Sequence, residues 1–230
     1  MPYTAVLGNG FRSRREVDRG NGLLRDGDLQ GALEAFETAT DLDDQDPVAW
    51  TNKATTLELL GSAKESLKCA NRALRLRPGF APALVAKAVA LSRLGKARRS
   101  LDTLEAALAI SPENETAWMN RGTLLARAGR LAEASECYAK AIEVDEDYSL
   151  AWMNLGSTLL QLGRPTEAAE CYAHVTRLRP GAAEAWFFRA KALLAADDAG
   201  AARGELARAL ALRPDFPEAM ELVASLGRAG

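Results

Sequence analysis

A leucine returns every 34 residues along most of this chain, and that period constrains the fold more than any other feature of the sequence. The leucines in this phase are Leu23, Leu57, Leu91, Leu125, Leu159 and Leu193. A fixed period of this length is typical of repeat proteins, in which each repeat buries its apolar faces against its neighbours. The chain is therefore expected to be an array of similar units rather than one ordinary globular domain.

Other positions keep the same period and indicate what each repeat contains. A tryptophan or leucine stands seven residues before the periodic leucine in five of six repeats, and a glycine follows four residues after it in five. A glycine or alanine stands three residues before it in all six. Apolar residues at helical spacing that stop at glycine and proline predict two helices joined by a short turn. The frames are 13–46, 47–80, 81–114, 115–148, 149–182 and 183–216.

This pattern resembles the tetratricopeptide repeat (TPR). The fifth repeat carries it most fully, with leucine in place of the pattern's tyrosine, through Trp152, Leu155, Gly156, Leu159, Ala168, Tyr172 and Pro180. The resemblance implies an all-α fold, a right-handed α-solenoid superhelix of six helix-turn-helix units with twelve helices, closed by a capping helix over 217–230. Residues 1–12 are expected to be an N-terminal tail, either disordered or folded over the first repeat.

The resemblance also implies a binding surface, because the first helices of TPR units line a concave groove in which partners usually lie. Two rows face it in this frame, an apolar row of Met119, Met153 and Phe187 and an amide row of Asn52, Asn120 and Asn154. An asparagine amide can donate to and accept from a peptide backbone at once, and the row is similar to the asparagine ladder of O-linked GlcNAc transferases. It predicts binding of an extended peptide or a partner's helix. The alternative for the apolar row is that it packs between neighbouring first helices. The alternative for the amide row is that asparagine is common at this position of TPR sequences in general.

Charged residues indicate two further interpretations. Arg93 and Arg127 face the predicted groove and would bias it toward acidic ligands. The two-carboxylate clamp of co-chaperone TPRs is not expected, because Val17, Pro82 and Ala86 occupy the places of its cations. The stretch 68–99 holds nine lysines and arginines and no acid. This basic face either docks an acidic partner or a phosphate backbone, or is a solvated outer surface.

The remaining features of the sequence argue against a catalytic site and against a membrane-spanning segment. A net charge of −2 gives no overall attraction to nucleic acid, which is not an expected partner, and no apolar run is long enough to cross a bilayer. Three cysteines (Cys69, Cys137 and Cys171) recur at one place of the repeat, as packing residues do, and the one histidine, His174, has no expected cleft. We therefore expect a non-enzymatic scaffold without metal or cofactor, cytoplasmic by default, with a protein or peptide partner. Self-assembly into a homo-oligomer is the alternative.

Overall fold

The structure, a computed structural model, describes residues 3–228, with side chains described over 9–227. Over that span the chain forms thirteen α-helices and no strand. The predicted all-α fold of twelve helices and a terminal helix is therefore confirmed. The helices are α1 (Tyr3–Arg25), α2 (Leu29–Leu42), α3 (Pro47–Leu59), α4 (Ala63–Leu76), α5 (Ala81–Arg93), α6 (Ala97–Ile110), α7 (Glu115–Arg127), α8 (Leu131–Val144), α9 (Ser149–Gln161), α10 (Pro165–Leu178), α11 (Ala183–Ala195), α12 (Ala199–Leu212) and α13 (Pro217–Arg228).

The chain divides into two compact halves, an N-terminal half of Met1–Pro112 with α1 to α6 and a C-terminal half of Glu113–Gly230 with α7 to α13. Within each half, every odd-numbered helix packs against the helix that follows it, and every even-numbered helix packs against the next odd-numbered one. The first helices of neighbouring pairs also touch, as α3 does with α1 and α5, and α9 with α7 and α11. Each half is thus a stack of helix pairs.

The turn inside a helix pair is closed by a residue with a left-handed backbone. In the second pair Gly61 has a φ of 80°, and the next residue, Ser62, donates its backbone N–H to the carbonyl of Leu57 at 2.8 Å. Glycine adopts this conformation without the steric cost of a Cβ atom, which explains the periodic turn glycine. Asp197 takes the same place in the last pair at a φ of 61°, a conformation that aspartate tolerates better than most residues.

Each helix pair closes around a notch in its first helix that a side chain of its second helix fills. In the fifth pair a Cβ atom on Gly156 would lie 2.9 Å from the ring of Tyr172, which is 1% exposed. Where the first helix carries alanine instead, the opposing residue is smaller, as with Ala190 and Leu206 in the last pair. The two places therefore vary together, glycine with an aromatic ring and alanine with an aliphatic side chain.

Tryptophans near the starts of first helices fix the loops between helix pairs. Three indole N–H groups donate to the carbonyl six residues earlier, at 2.8 to 2.9 Å, in the bonds Trp50 to Asp44, Trp152 to Glu146 and Trp186 to Pro180. A partly buried indole is most stable when its one donor finds a partner. The periodic tryptophan therefore packs against the core and also closes the preceding loop.

The two ends of the chain depart from the repeat. Helix α1 begins at Tyr3, so the segment expected as a tail is helical from residue 3, while residues 1 and 2 lie outside the described part. At the other end, Phe216 and Ala219 are buried together with Phe187 of α11, and α13 packs on α12. The last two residues of the expected cap, 229 and 230, also lie outside the described part. The division into tail, six repeats and cap stays a prediction.

Candidate functional site

The candidate binding surface in the C-terminal half runs along α7 and α9. Met119 and Asn120 on α7 stand 34 residues before Met153 and Asn154 on α9, and all four side chains are half-buried. The amide nitrogen Nδ2 of Asn154 lies 3.8 Å from the sulfur of Met119, so the rows meet across the two helices. The structure thus brings together two of the three predicted asparagines and both predicted methionines.

The two amides keep most of their hydrogen-bonding capacity. Asn120 donates from Nδ2 to the backbone carbonyl of Thr116, one turn earlier, at 2.8 Å. The Nδ2 group of Asn154 meets the Met119 sulfur, which is only a weak acceptor. Within the described residues neither side-chain oxygen accepts a hydrogen bond. Each amide can therefore both accept from and donate to a peptide backbone.

Phe187 does not extend this surface. Its side chain is 8% exposed, and its ring centroid lies 4.8 Å from that of Phe216 and 5.5 Å from that of Phe188. The packing alternative for the apolar row therefore fits Phe187, which is covered by Phe216, the residue before α13. Arg127, at the end of α7, is exposed, and its role in a binding surface stays a prediction.

Asn52 lies in the other half of the chain, on α3. Its Nδ2 group donates to the side-chain oxygen of Asn21 on α1 at 3.1 Å. The amide pair of the N-terminal half is therefore Asn52 with Asn21, which was absent from the predicted groove residues. This amide pair could have been predicted from the sequence. Asp18 is the residue of the first repeat that is equivalent to Asn52, and Asn21 lies three residues after it, on the same helix face.

Arg93 on α5 forms an ion pair with Glu58, a buried acid of α3. Its Nε atom lies 2.9 Å from Oε2 of Glu58, whose side chain is 6% exposed. Burial raises the pKa of the Glu58 carboxyl, and the Ser66 hydroxyl and the Arg93 charge oppose part of that rise. The carboxylate has no hydrogen bond of good geometry among the described residues. The charge of Arg93 is thus offset within the protein, which weakens its predicted attraction for an acidic ligand.

The basic stretch 68–99 does not form one uniform face. Arg72 donates to a carboxylate oxygen of Asp44 at 2.9 Å, and Arg77 lies over the ring of Phe80, 4.9 Å from its centroid. Six cations of this stretch are exposed and have no ion pair in the described part of the chain, namely Lys68, Arg75, Arg77, Lys96, Arg98 and Arg99. The face expected from sequence therefore shrinks to the outer sides of α4 and α6.

An open cleft of about 750 Å³ lies in the N-terminal half, between α1 and the start of α3. Its lining combines apolar side chains, Phe11 and Val48, with the carboxylates of Asp18 and Asp46. Asp46 is partly committed, because it accepts a hydrogen bond from the backbone N–H of Val48 and so caps α3. The repeat pattern gave no signal for this cleft, since Phe11 precedes the first frame.

The thiols and the imidazole are held in packing positions. All three cysteines are free and buried, and burial raises the pKa of each thiol, that of Cys171 to about 12. Since the thiolate is the reactive form, burial and the raised pKa both disfavour reaction of these thiols. His174 stacks on Trp152 with ring centroids 4.1 Å apart, and burial lowers its pKa, which favours the neutral form of the ring. The described residues contain no cluster of three or more metal-ligating side chains, and none of their helices is long and apolar enough to cross a membrane.

Two models of the tetratricopeptide repeat match the chain, one over 113–180 and the other over 17–79 and 153–217. No curated protein has a significant match. Similar solved structures include YrrB, a TPR protein with an unusual peptide-binding site, at 24% identity over 84% of this chain and 99% of that one, with a TM-score of 0.65. TTC0263 of Thermus thermophilus, a thermophilic TPR protein, is 23% identical over 79% and 99% of the two chains, with a TM-score of 0.71. PilW, a type IV pilus biogenesis factor, is 20% identical over 92% and 98%, with a TM-score of 0.79. At these identities the likeness shows the fold alone.

Proposed function

This chain belongs to the tetratricopeptide repeat family, whose fold generally mediates protein–protein interaction, and we propose that it binds an extended peptide segment of a partner along α7 and α9. Proteins of this family are typically scaffolds without enzymatic activity. The observation that carries the proposal is the pair of half-buried amides, Asn120 and Asn154, at equivalent places on adjacent helices with side-chain oxygens that accept no hydrogen bond within the described part.

The spacing of these amides suits an extended chain. Packed helices lie about 8 to 10 Å apart, which corresponds to roughly three residues of extended peptide at about 3.3 Å each. One amide can therefore pair with a peptide group near each helix. Met119 and Met153 provide flexible apolar contacts that adapt to different side chains, and the exposed charge of Arg127 favours acidic segments.

An extended peptide fits this surface better than a partner helix does. A helix in a groove needs a continuous apolar stripe that receives several anchors. Since Phe187 is covered by Phe216, the apolar row offers only Met119 and Met153, both half-buried. Backbone hydrogen bonds to Asn120 and Asn154 need no such stripe. The peptide-binding site of YrrB, whose fold is similar, supports a peptide as the class of ligand.

The test is a binding measurement on peptides selected against the full wild-type chain from a random displayed library. Affinities of the selected peptides are compared between wild type and Asn120→Ala/Asn154→Ala. Each lost hydrogen bond contributes roughly 0.5 to 1.5 kcal/mol, so we expect the affinity to fall by about tenfold or more.

A matched control removes two side-chain amides from outer helices, in the variant Gln30→Ala/Asn71→Ala on α2 and α4. It should bind the selected peptides as wild type does, and the circular dichroism melting curves of all three chains should agree within a few degrees. Unchanged affinity in Asn120→Ala/Asn154→Ala would show that the peptides bind elsewhere on the molecule.

A further inference from the structure

The second helices of the repeats start at equivalent positions of the repeat. An unusual residue at one of these positions can therefore be recognised by comparison with the other repeats. The second residue of these helices is Gln30, Lys64, Arg98, Ala132, Thr166 and Gly200, from α2 to α12. Only α4 and α6 carry a cation there, and they follow one another in the N-terminal half. The fold itself does not require these cations, since the other repeats form the same helix without them.

The start of α6 departs further from its equivalents. In α8 and α10 an arginine just before the helix bonds to a glutamate three residues on, in the pairs Arg130–Glu133 and Arg164–Glu167 at 2.5 to 2.7 Å. In α6 these two places carry Lys96 and Arg99, so a pair of opposite charges is replaced by a pair of like charges. No side chain caps this helix and its first turn holds no acid. Cations at a helix N-terminus oppose the macrodipole, so this arrangement destabilises α6.

We define the α4–α6 cationic patch as five residues at the start of these two helices, namely Lys64, Lys68, Lys96, Arg98 and Arg99. All five side chains are exposed, and no ion pair or side-chain hydrogen bond of theirs is found among the described residues. Lys64 and Lys68 lie one turn apart on the side of α4 that faces away from its buried residues. Arg98 is the equivalent of Lys64 on α6, and both helices pack on α5.

We propose that the α4–α6 cationic patch docks a carboxylate-rich segment of a protein partner. Carboxylates one turn apart on a helix, or two residues apart on an extended chain, are separated by about 5 to 7 Å, which matches the spacing of Lys64 and Lys68. The free backbone N–H groups at the start of α6, beside Arg98 and Arg99, add donors for a further carboxylate. A bound acidic segment would also offset the like-charge repulsion that the fold leaves between Lys96 and Arg99.

The patch fits a protein partner better than a nucleic acid or a membrane. Single-stranded nucleic acid binds where aromatic side chains stack on its bases, and the patch contains no aromatic residue. A helix that lies on a membrane needs large apolar residues on its outer face, whereas the outer face at the start of α4 carries Lys64, Glu65 and Lys68. The patch belongs to the other half of the chain from Asn120 and Asn154, so it shares no residue or helix with the proposed peptide site.

The test uses the full chain and a labelled oligo-glutamate peptide at physiological ionic strength. The patch variant is Lys64→Glu/Arg98→Glu, and the control is Arg177→Glu/Arg179→Glu, which changes the net charge equally at two exposed residues of the other half. We expect the patch variant to lose affinity by about tenfold or more and the control to stay within about twofold of wild type. Both patch substitutions put an acid in the first turn of a helix, which favours folding, so the loss would not reflect unfolding.

Three outcomes would overturn the proposal. The first is an equal loss in both variants, which would show attraction by net charge alone. The second is no saturable binding of the peptide to wild type, and the third is tighter binding of an oligothymidylate of equal charge, which would identify a nucleic-acid site. None of these outcomes bears on the α7–α9 site, because the patch variant leaves Asn120 and Asn154 in place and should bind the library-selected peptides normally.

Discussion

Glu58 is a buried acid at a place where the other first helices carry leucine, serine or alanine. Its side chain is 6% exposed, and its pKa is raised by burial in spite of Arg93 at 2.9 Å. A raised pKa means that the folded state binds the proton more tightly than the unfolded chain does. The stability that this group contributes is therefore present below its ordinary pKa of about 4.3 and is lost as the pH rises through the raised value.

The variant Glu58→Gln resembles the protonated carboxyl and should therefore be more stable than wild type at neutral pH. Removal of a buried, poorly hydrogen-bonded charge should gain roughly 1 kcal/mol at pH 7.5, and the advantage should disappear as the pH falls toward 4. Urea unfolding of both chains at a series of pH values measures this. A variant that is less stable than wild type at pH 7.5 would mean that the ion pair with Arg93 outweighs the cost of burial.

The environment of single residues was only partly predictable from sequence. The period alone predicted that Asn120 and Asn154 occupy equivalent places on neighbouring first helices. It could not predict that Phe187 is covered, because Phe216 precedes α13 and lies outside the pattern that defines a first helix. The period also could not predict the ion pair of Arg93. Its partner, Glu58, belongs to the preceding repeat and stands at a position that is uncharged in the other repeats.

Helix pairs are matched internally, so that the notch on the first helix and the side chain that fills it behave as one unit. Gly156 leaves no room for a Cβ atom beside Tyr172, whereas Ala190 is buried in one cluster with Leu206. The repeat pattern predicted small residues at the helix crossing. The pairing of glycine with an aromatic ring and of alanine with an aliphatic side chain is present in the sequence, but it has a physical meaning only once the structure shows which two places face each other.

A double-mutant cycle tests this matching. Gly156→Ala should destabilise the protein by about 1 to 3 kcal/mol through the clash with Tyr172, although alanine is intrinsically the better helix former. The double variant Gly156→Ala/Tyr172→Leu recreates the Ala190–Leu206 pair and should recover part of that loss, with a coupling energy of about 1 kcal/mol or more. Denaturant unfolding of the two single variants and the double variant gives the coupling energy.

Gly22 on α1 provides the control for this cycle, because a Cβ atom there would meet nothing within 4 Å. Gly22→Ala should stabilise the chain by roughly 0.5 to 1 kcal/mol. If Gly156→Ala stabilises the chain as much as Gly22→Ala does, Tyr172 moves aside at no cost and the matching of the two places is incidental.

Each half of the whole molecule contains its own buried clusters. In the N-terminal half Phe36 is fully buried with Ala32 and Ala39, and in the C-terminal half Leu206 is fully buried with Ala202 and Ala209. In repeat proteins each unit contacts only its neighbours, so stability is approximately a sum of local contributions. A destabilising substitution in one buried cluster should therefore lower the stability mainly of the half that contains it. In an ordinary globular domain with a single core, the same substitution would destabilise the whole domain.

Hydrogen exchange on paired variants measures how local the stability is. Phe36→Ala removes a buried ring that fills the notch at Gly20 and should cost about 3 to 5 kcal/mol. We expect the loss of amide protection to concentrate in residues 3–112, and Leu206→Ala, the matched lesion in the other half, to concentrate it in 113–228. A uniform loss along the whole chain in both variants would mean that the two halves unfold as one cooperative body. In that case a ligand bound to α7 and α9 would protect the N-terminal half as well, whereas local stability confines its protection to the helices near the peptide.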